Sequence, residues 1–115
     1  MEITLSDYGD LGKRVTLVGR LDILGAGKID TPLRELADSK TNIVVDMSGV
    51  DFIASLAMRS LVFAAKTLLP NGRVLGLLNP TPLVADALTE AGLRALLPMV
   101  QGEPEAQDLF SRYAS

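Results

Sequence analysis

The run Asn42-Ile43-Val44-Val45-Asp46-Met47 constrains this chain more than any other segment. It is short, almost unbroken in apolar character and rich in β-branched side chains. Such a run suits a strand buried on both faces, and strands of that kind sit in parallel sheets with helices packed against them. The downstream sequence agrees. Met58, Leu61, Val62, Ala65 and Leu68/Leu69 recur at three- and four-residue spacing, which predicts a helix reached through Phe52–Arg59 and stopped by Pro70-Asn71-Gly72. Arg73–Leu78 then reads as a second buried strand.

The remaining segments extend the alternation. Ile3 and Leu5, then Val15 and Leu17, occupy alternate positions around the loop Tyr8–Gly12, as in a hairpin of half-buried strands, the second ending at Gly19-Arg20-Leu21-Asp22. A helix is expected from about Gly25 to Asp38, with Ile29, Leu33 and Leu36 on one face; Pro32 inside it reads as a late start or a bend. Ser48-Gly49-Val50-Asp51 reads as a loop after the central strand. Thr81 can cap a helix that has Pro82 at its first position, Leu83, Val84, Ala87 and Leu88 on one face, and Gly92 at its end. Leu96–Val100 reads as a short edge strand that tolerates Pro98, and Glu103–Tyr113 as a terminal helix with Ala106, Leu109, Phe110 and Tyr113 as its stripe. The order β-β-α-β-α-β-α-β-α predicts one α/β domain over residues 1–115. Its central, mainly parallel sheet opens on an N-terminal hairpin and is flanked by four helices.

Composition excludes several functions. The 115 residues suffice for one core, and with 48% apolar and only 4% aromatic residues that core is aliphatic. Without Cys there is no disulfide, thiolate nucleophile or thiolate metal site; without His the commonest general base and metal ligand are missing. No cofactor is expected. A net charge of −3 argues against direct contact with nucleic acid. The N-terminal residues lack the pattern of a signal peptide, and Lys66 and Arg73 interrupt the most apolar region, so a cytoplasmic protein without direct membrane insertion is expected.

Three ordered stretches carry a resemblance. Val15–Asp22 ends in Gly19-Arg20-Leu21-Asp22; Ile43–Ile53 holds the central strand and the loop expected after it; Ala54-Ser55-Leu56-Ala57-Met58-Arg59 comes next. From Val15 to Leu93 the chain resembles the STAS family, the sulfate-transporter and anti-sigma-factor-antagonist domain. The third stretch stands where the family has Asp-Ser-Ser-Gly-Leu. The resemblance implies an anti-sigma factor antagonist, not an enzyme, that binds a serine kinase which is also the anti-sigma factor. Ser55 matches the Ser that such a kinase phosphorylates to switch binding off. Asp22, Ser48, Gly49, Asp51, Ala54, Ser55, Leu56, Ala57, Met58 and Arg59 form the implied partner surface. The chain would act as a monomer or weak dimer.

The motif departs from the family at Ala54, Leu56 and Ala57, which stand where the family has Asp, Ser and Gly. Family members also serve as cytosolic domains of anion transporters and partners of lipid-transport ATPases, without need of phosphorylation, and that is the alternative function. Read from the residues alone, Ser55 is an N-cap, a role compatible with phosphorylation. Asp22 reads as a cap or a partner contact, and Asp46 and Asp51 as turn and capping residues. Arg59 and Lys66 come after Ser55 on its helix, where Phe63 is expected to be partly buried. Ser55 as a catalytic nucleophile lacks a base: there is no His, and Lys66 lies far along the helix.

Overall fold

A computed structural model describes residues 1–9 and 12–113. Strand β1 (Glu2–Tyr8) turns into β2 (Gly12–Leu21), and the two pair antiparallel from Glu2↔Val18 to Tyr8↔Gly12. Asp10 and Leu11, the middle of the expected loop, lie outside the described residues. Helix α1 (Ile23–Asp38) leads to β3 (Asn42–Ile53), α2 (Ser55–Leu68) to β4 (Leu75–Leu78), and α3 (Pro82–Glu90) to β5 (Met99–Val100). Helix α4 (Gly102–Ser111) closes the described chain. The sheet order is β1-β2-β3-β4-β5, with β2 to β5 parallel, so the sequence reading of a mainly parallel sheet with a hairpin at its start holds.

That order explains the layers. The strands advance across the sheet in one direction, and right-handed crossovers then place every connecting helix on the same face. Ala26, Ile29 and Leu33 of α1, Ala57 and Leu61 of α2, and Val84 and Leu88 of α3 share one core with Val15, Leu17, Val45 and Met47. Among the described residues the other face has only α4, whose Ala106, Leu109 and Phe110 pack on Tyr8, Val44 and Leu78. Gly76 makes this approach possible: a Cβ there would lie 2.6 Å from a Leu109 methyl. Toward the far ends of β2 and β3 that face stays open, with Val18 and Arg20 exposed.

Several local expectations change. Ser48–Asp51 is strand, not loop. Register shifts between Thr16 and Val18 and between Gly19 and Arg20 each give β3 one extra residue against β2. Met47, Val50 and Ile53 therefore all reach the core at a spacing of three. That spacing breaks the alternation of a strand, and with Ser48-Gly49 inside it the segment imitates a loop in sequence. Phe52 and Ile53 likewise belong to β3.

Helix α1 starts at Ile23 and runs through Pro32 without a break. Proline removes one backbone donor, and the bond lost is the one to Lys28, an exposed residue whose carbonyl solvent can satisfy. Thr81 sits at the cap position of α3, but its hydroxyl donates to the Val50 carbonyl at 3.1 Å. Gly92 terminates α3 as expected, at φ +77° just past the cap Ala91, while Arg73 and Val74 precede β4 and the edge strand is only Met99–Val100.

Candidate functional site

Open parallel sheets place their sites where the strands end, in front of the helix N-termini. Here the ends of β2 and β3 are tied together. Leu21 pairs with Ile53, and the Ala54 N–H donates to the Leu21 carbonyl at 2.7 Å. Asp22 and Ala54 are therefore neighbours, and each opens a helix.

Asp22 is an N-cap. Its Oδ1 accepts from the Gly25 N–H at 2.8 Å. Gly25 is required by this corner, since a Cβ there would lie 2.4 Å from the Arg20 carbonyl oxygen. Ser55 is not a cap. Ala54 holds the cap position of α2 without a side-chain bond, and Ser55 is the first helical residue, exposed to solvent. The reason is the Ala54–Leu21 bond, which sets the cap position one residue earlier than the hydroxyl. Ser55 thus stands in the first turn, where backbone N–H groups lack helical partners and the helix dipole is positive.

The remaining residues expected at the partner surface divide into three groups. Ala54, Leu56 and Arg59 lie with Ser55 at the start of α2; Ala54 is partly covered and the other two are exposed. Ser48, Gly49 and Asp51 are exposed along the bulged part of β3. The Ser48 N–H and hydroxyl both donate to Asp46 Oδ1, at 3.0 and 2.8 Å, so Asp46 shapes the bulge as a turn residue would. Met58 is half-buried against the core and Ala57 is fully buried. Ala57 is corrected accordingly: it packs α2 on the sheet and offers no surface to a partner.

Other residues at this end were missed. Ile23 and Leu24 are 68% and 77% exposed, beside the expected Leu56 at 44%. Ile23, Leu24, Arg20, Asp22, Phe52 and Ala54 line a groove of about 410 Å³, with the Arg20 guanidinium 4.5 Å from the Phe52 ring centroid. Leu24 was findable: counted from Asp22 as cap, it falls off the Ala26, Ile29, Leu33, Ala37 stripe. Phe63, expected to be partly buried, is 45% exposed under the Arg34 guanidinium at 4.0 Å. Arg34 also bonds Asp30, which accepts from the Ser60 hydroxyl of α2 at 2.9 Å; these two bonds hold the Asp30 carboxyl below its ordinary range. Among the described residues no cluster of His, Cys, Asp or Glu is grouped to hold a metal ion, and no helix is long and apolar enough to cross a membrane.

The comparisons with known proteins agree with this architecture. A family model described as "Mlab, STAS domain" matches residues 9–100. Among solved structures, the anti-sigma factor antagonist SpoIIAA in its unphosphorylated form is 20% identical, with 96% of each chain covered and a TM-score of 0.80. An anti-sigma factor antagonist from Mycobacterium paratuberculosis is 18% identical over 96% of this chain and 93% of that one, with a TM-score of 0.84. The Bacillus cell fate determinant SpoIIAA in the phosphorylated form is 20% identical over 94% and 98%, at 0.73. No curated protein matches the chain significantly. At such identities the structural likeness is one of fold, whereas the family model spans most of the sequence. With its three sequence stretches gathered at the ends of β2 and β3, the chain belongs to the STAS domain family.

Proposed function

We propose that this chain is an anti-sigma factor antagonist that binds a serine kinase acting as anti-sigma factor, and that phosphorylation of Ser55 releases the partner. One observation carries the reading: Ser55 is exposed at the first position of α2, on the same end of the sheet as the exposed side chains of Ile23, Leu24 and Leu56. Apolar side chains left in water beside a modifiable hydroxyl are what a switchable protein contact needs.

The chemistry of the switch is local. A phosphate on Ser55 adds roughly −1.5 to −2 charge, which the first-turn amides and helix dipole tolerate within the folded chain. In a closed contact on Leu56 the same dianion would have to shed its water without a compensating partner, which opposes binding. Release then requires no unfolding. No base or metal is needed, because the residues here only receive the group.

The second reading is a phosphorylation-independent subunit of a membrane transport complex. It is favoured by Ala54, Leu56 and Ala57, which leave Ser55 without the polar neighbours of the family motif. Intact-mass spectrometry of the protein from its native cell separates the two. A one-phosphate species that disappears in Ser55→Ala, and that a kinase partner retains less well than the unmodified form, is the expected result. Absence of that species through all growth phases would overturn the switch in favour of the transport reading.

A further inference from the structure

Between α2 and the Ala91–Leu93 segment after α3 runs a groove of about 470 Å³. Its floor includes Met58, Val62 and Leu93, each partly buried against the main core. Ser55, Arg59 and Lys66 line its rim, all of them exposed.

The charge of this groove opposes that of the molecule. The chain carries a net −3, yet the groove is lined by Arg59 and Lys66 and by no acid. Among the described residues neither cation has a salt-bridge partner, as is also true of Arg20, Lys28 and Arg94, whereas Lys13, Arg34 and Arg112 have one each and Arg14 has two. Arg59 and Lys66 are seven residues apart on α2. That is two turns, or roughly 10 Å along the helix. An apolar floor bracketed by two unpaired cations is the complement of an amphipathic helix whose apolar stripe runs between carboxylates.

We propose that this groove seats an acidic amphipathic helix of a protein partner, and that a phosphate on Ser55 displaces it by capturing Arg59. Ser55 precedes Arg59 by four residues, so both lie on one face of α2. A phosphoserine there forms a charge-assisted pair within its own chain, and the guanidinium is lost to the partner's carboxylate. The displacement rests on the phosphoswitch reading above; the seating of the helix does not. An anionic membrane is the weaker occupant, because the floor is recessed between two segments and the net negative chain is repelled by such a surface.

The test uses the whole chain and a synthetic helical peptide with a Leu stripe between Glu residues seven apart. A Lys-for-Glu version and phosphatidylserine vesicles are the controls. The Glu peptide is expected to shift the NMR signals of Met58, Val62 and Leu93. Joint Arg59→Glu and Lys66→Glu substitution should weaken it by about ten-fold or more and restore binding of the Lys peptide, a rescue that a misfolded variant cannot give. Failure of the Glu peptide to bind, indifference to the double reversal, or vesicle binding that depends on the same two cations would overturn the groove. Enzymatic phosphorylation of Ser55 should weaken the peptide several-fold. If it does not, capture of Arg59 is overturned; if cells hold no phosphorylated protein, the switch alone falls and the groove is judged by the peptide.

Discussion

Asp22 and Ser55 begin the two helices that come after β2 and β3, in opposite ways. The Asp22 carboxylate closes its own helix by accepting from Gly25, while the Ser55 hydroxyl sits one residue past the cap and faces solvent. The consequence is measurable. Asp22→Ala removes a cap and should cost about 1 kcal/mol in urea denaturation. Ser55→Ala should change stability by less than about 0.5 kcal/mol, as at other exposed positions. Equal losses in the two variants would return Ser55 to a capping role and weaken its assignment as a switch. Asp22 was legible because a cap is a local matter. The place of Ser55 was not, since the Ala54–Leu21 bond that sets it joins residues far apart in sequence.

Among the elements, α1 shows how packing overrides propensity. Gly25 and Gly27 both lower its intrinsic helicity. They differ in surroundings: a Cβ on Gly25 meets the Arg20 carbonyl oxygen at 2.4 Å, while one on Gly27 meets nothing within 4 Å. Gly25→Ala should therefore destabilise by about 1–3 kcal/mol through the clash. Gly27→Ala should stabilise by about 0.5–1 kcal/mol through helicity. Denaturation midpoints that move the same way in both would show that the corner of β2 and α1 yields easily. Strand β3 teaches the complementary lesson. Its bulges keep Met47, Val50 and Ile53 on the core face although the intervening pairs Ser48-Gly49 and Asp51-Phe52 break the alternation.

For the molecule as a whole, α4 covers its face of the sheet alone among the described helices, and a polar cluster ties it down. The Tyr8 hydroxyl donates to Glu103 Oε2 at 2.6 Å, Arg14 pairs with Glu103 and lies 3.7 Å from Asp46, and Tyr8 meets Phe110 edge-on at 5.2 Å. The bonds from Tyr8 and then Arg14 hold the Glu103 carboxyl below its ordinary 4.5. Its contribution is therefore complete above that value and is lost as pH falls through the lowered folded one. Burial, with Glu103 adding to it, pushes the Tyr8 phenol up to about 12, so its contribution is full below 10 and fades as pH climbs toward 12. Glu103→Gln should be less stable at neutral pH and should lose less on acidification below about pH 4.5. A variant whose stability falls as steeply in acid as the parent's would show that Glu103 does not secure α4.

Periodicity and capping act between residues a few positions apart, and they were enough to set the order of elements and the direction of the strands, but not every core position: Leu5, Leu69 and Leu83, read onto apolar faces, are 52%, 40% and 63% exposed. The stretches that carry the family resemblance come together at one end of the sheet, where Leu21 pairs with Ile53. Which side chains that end exposes was a matter of long-range contacts. One-way crossovers put α1, α2 and α3 on a single face, the Leu21–Ala54 bond set the start of α2, and that placement buried Ala57 while leaving Ser55 outside. The groove beside Arg59 and Lys66 is of the same kind. Its cations were visible in the chain, but the absence of an acid from the groove's lining and their nearness to Leu93 depend on contacts made only by folding.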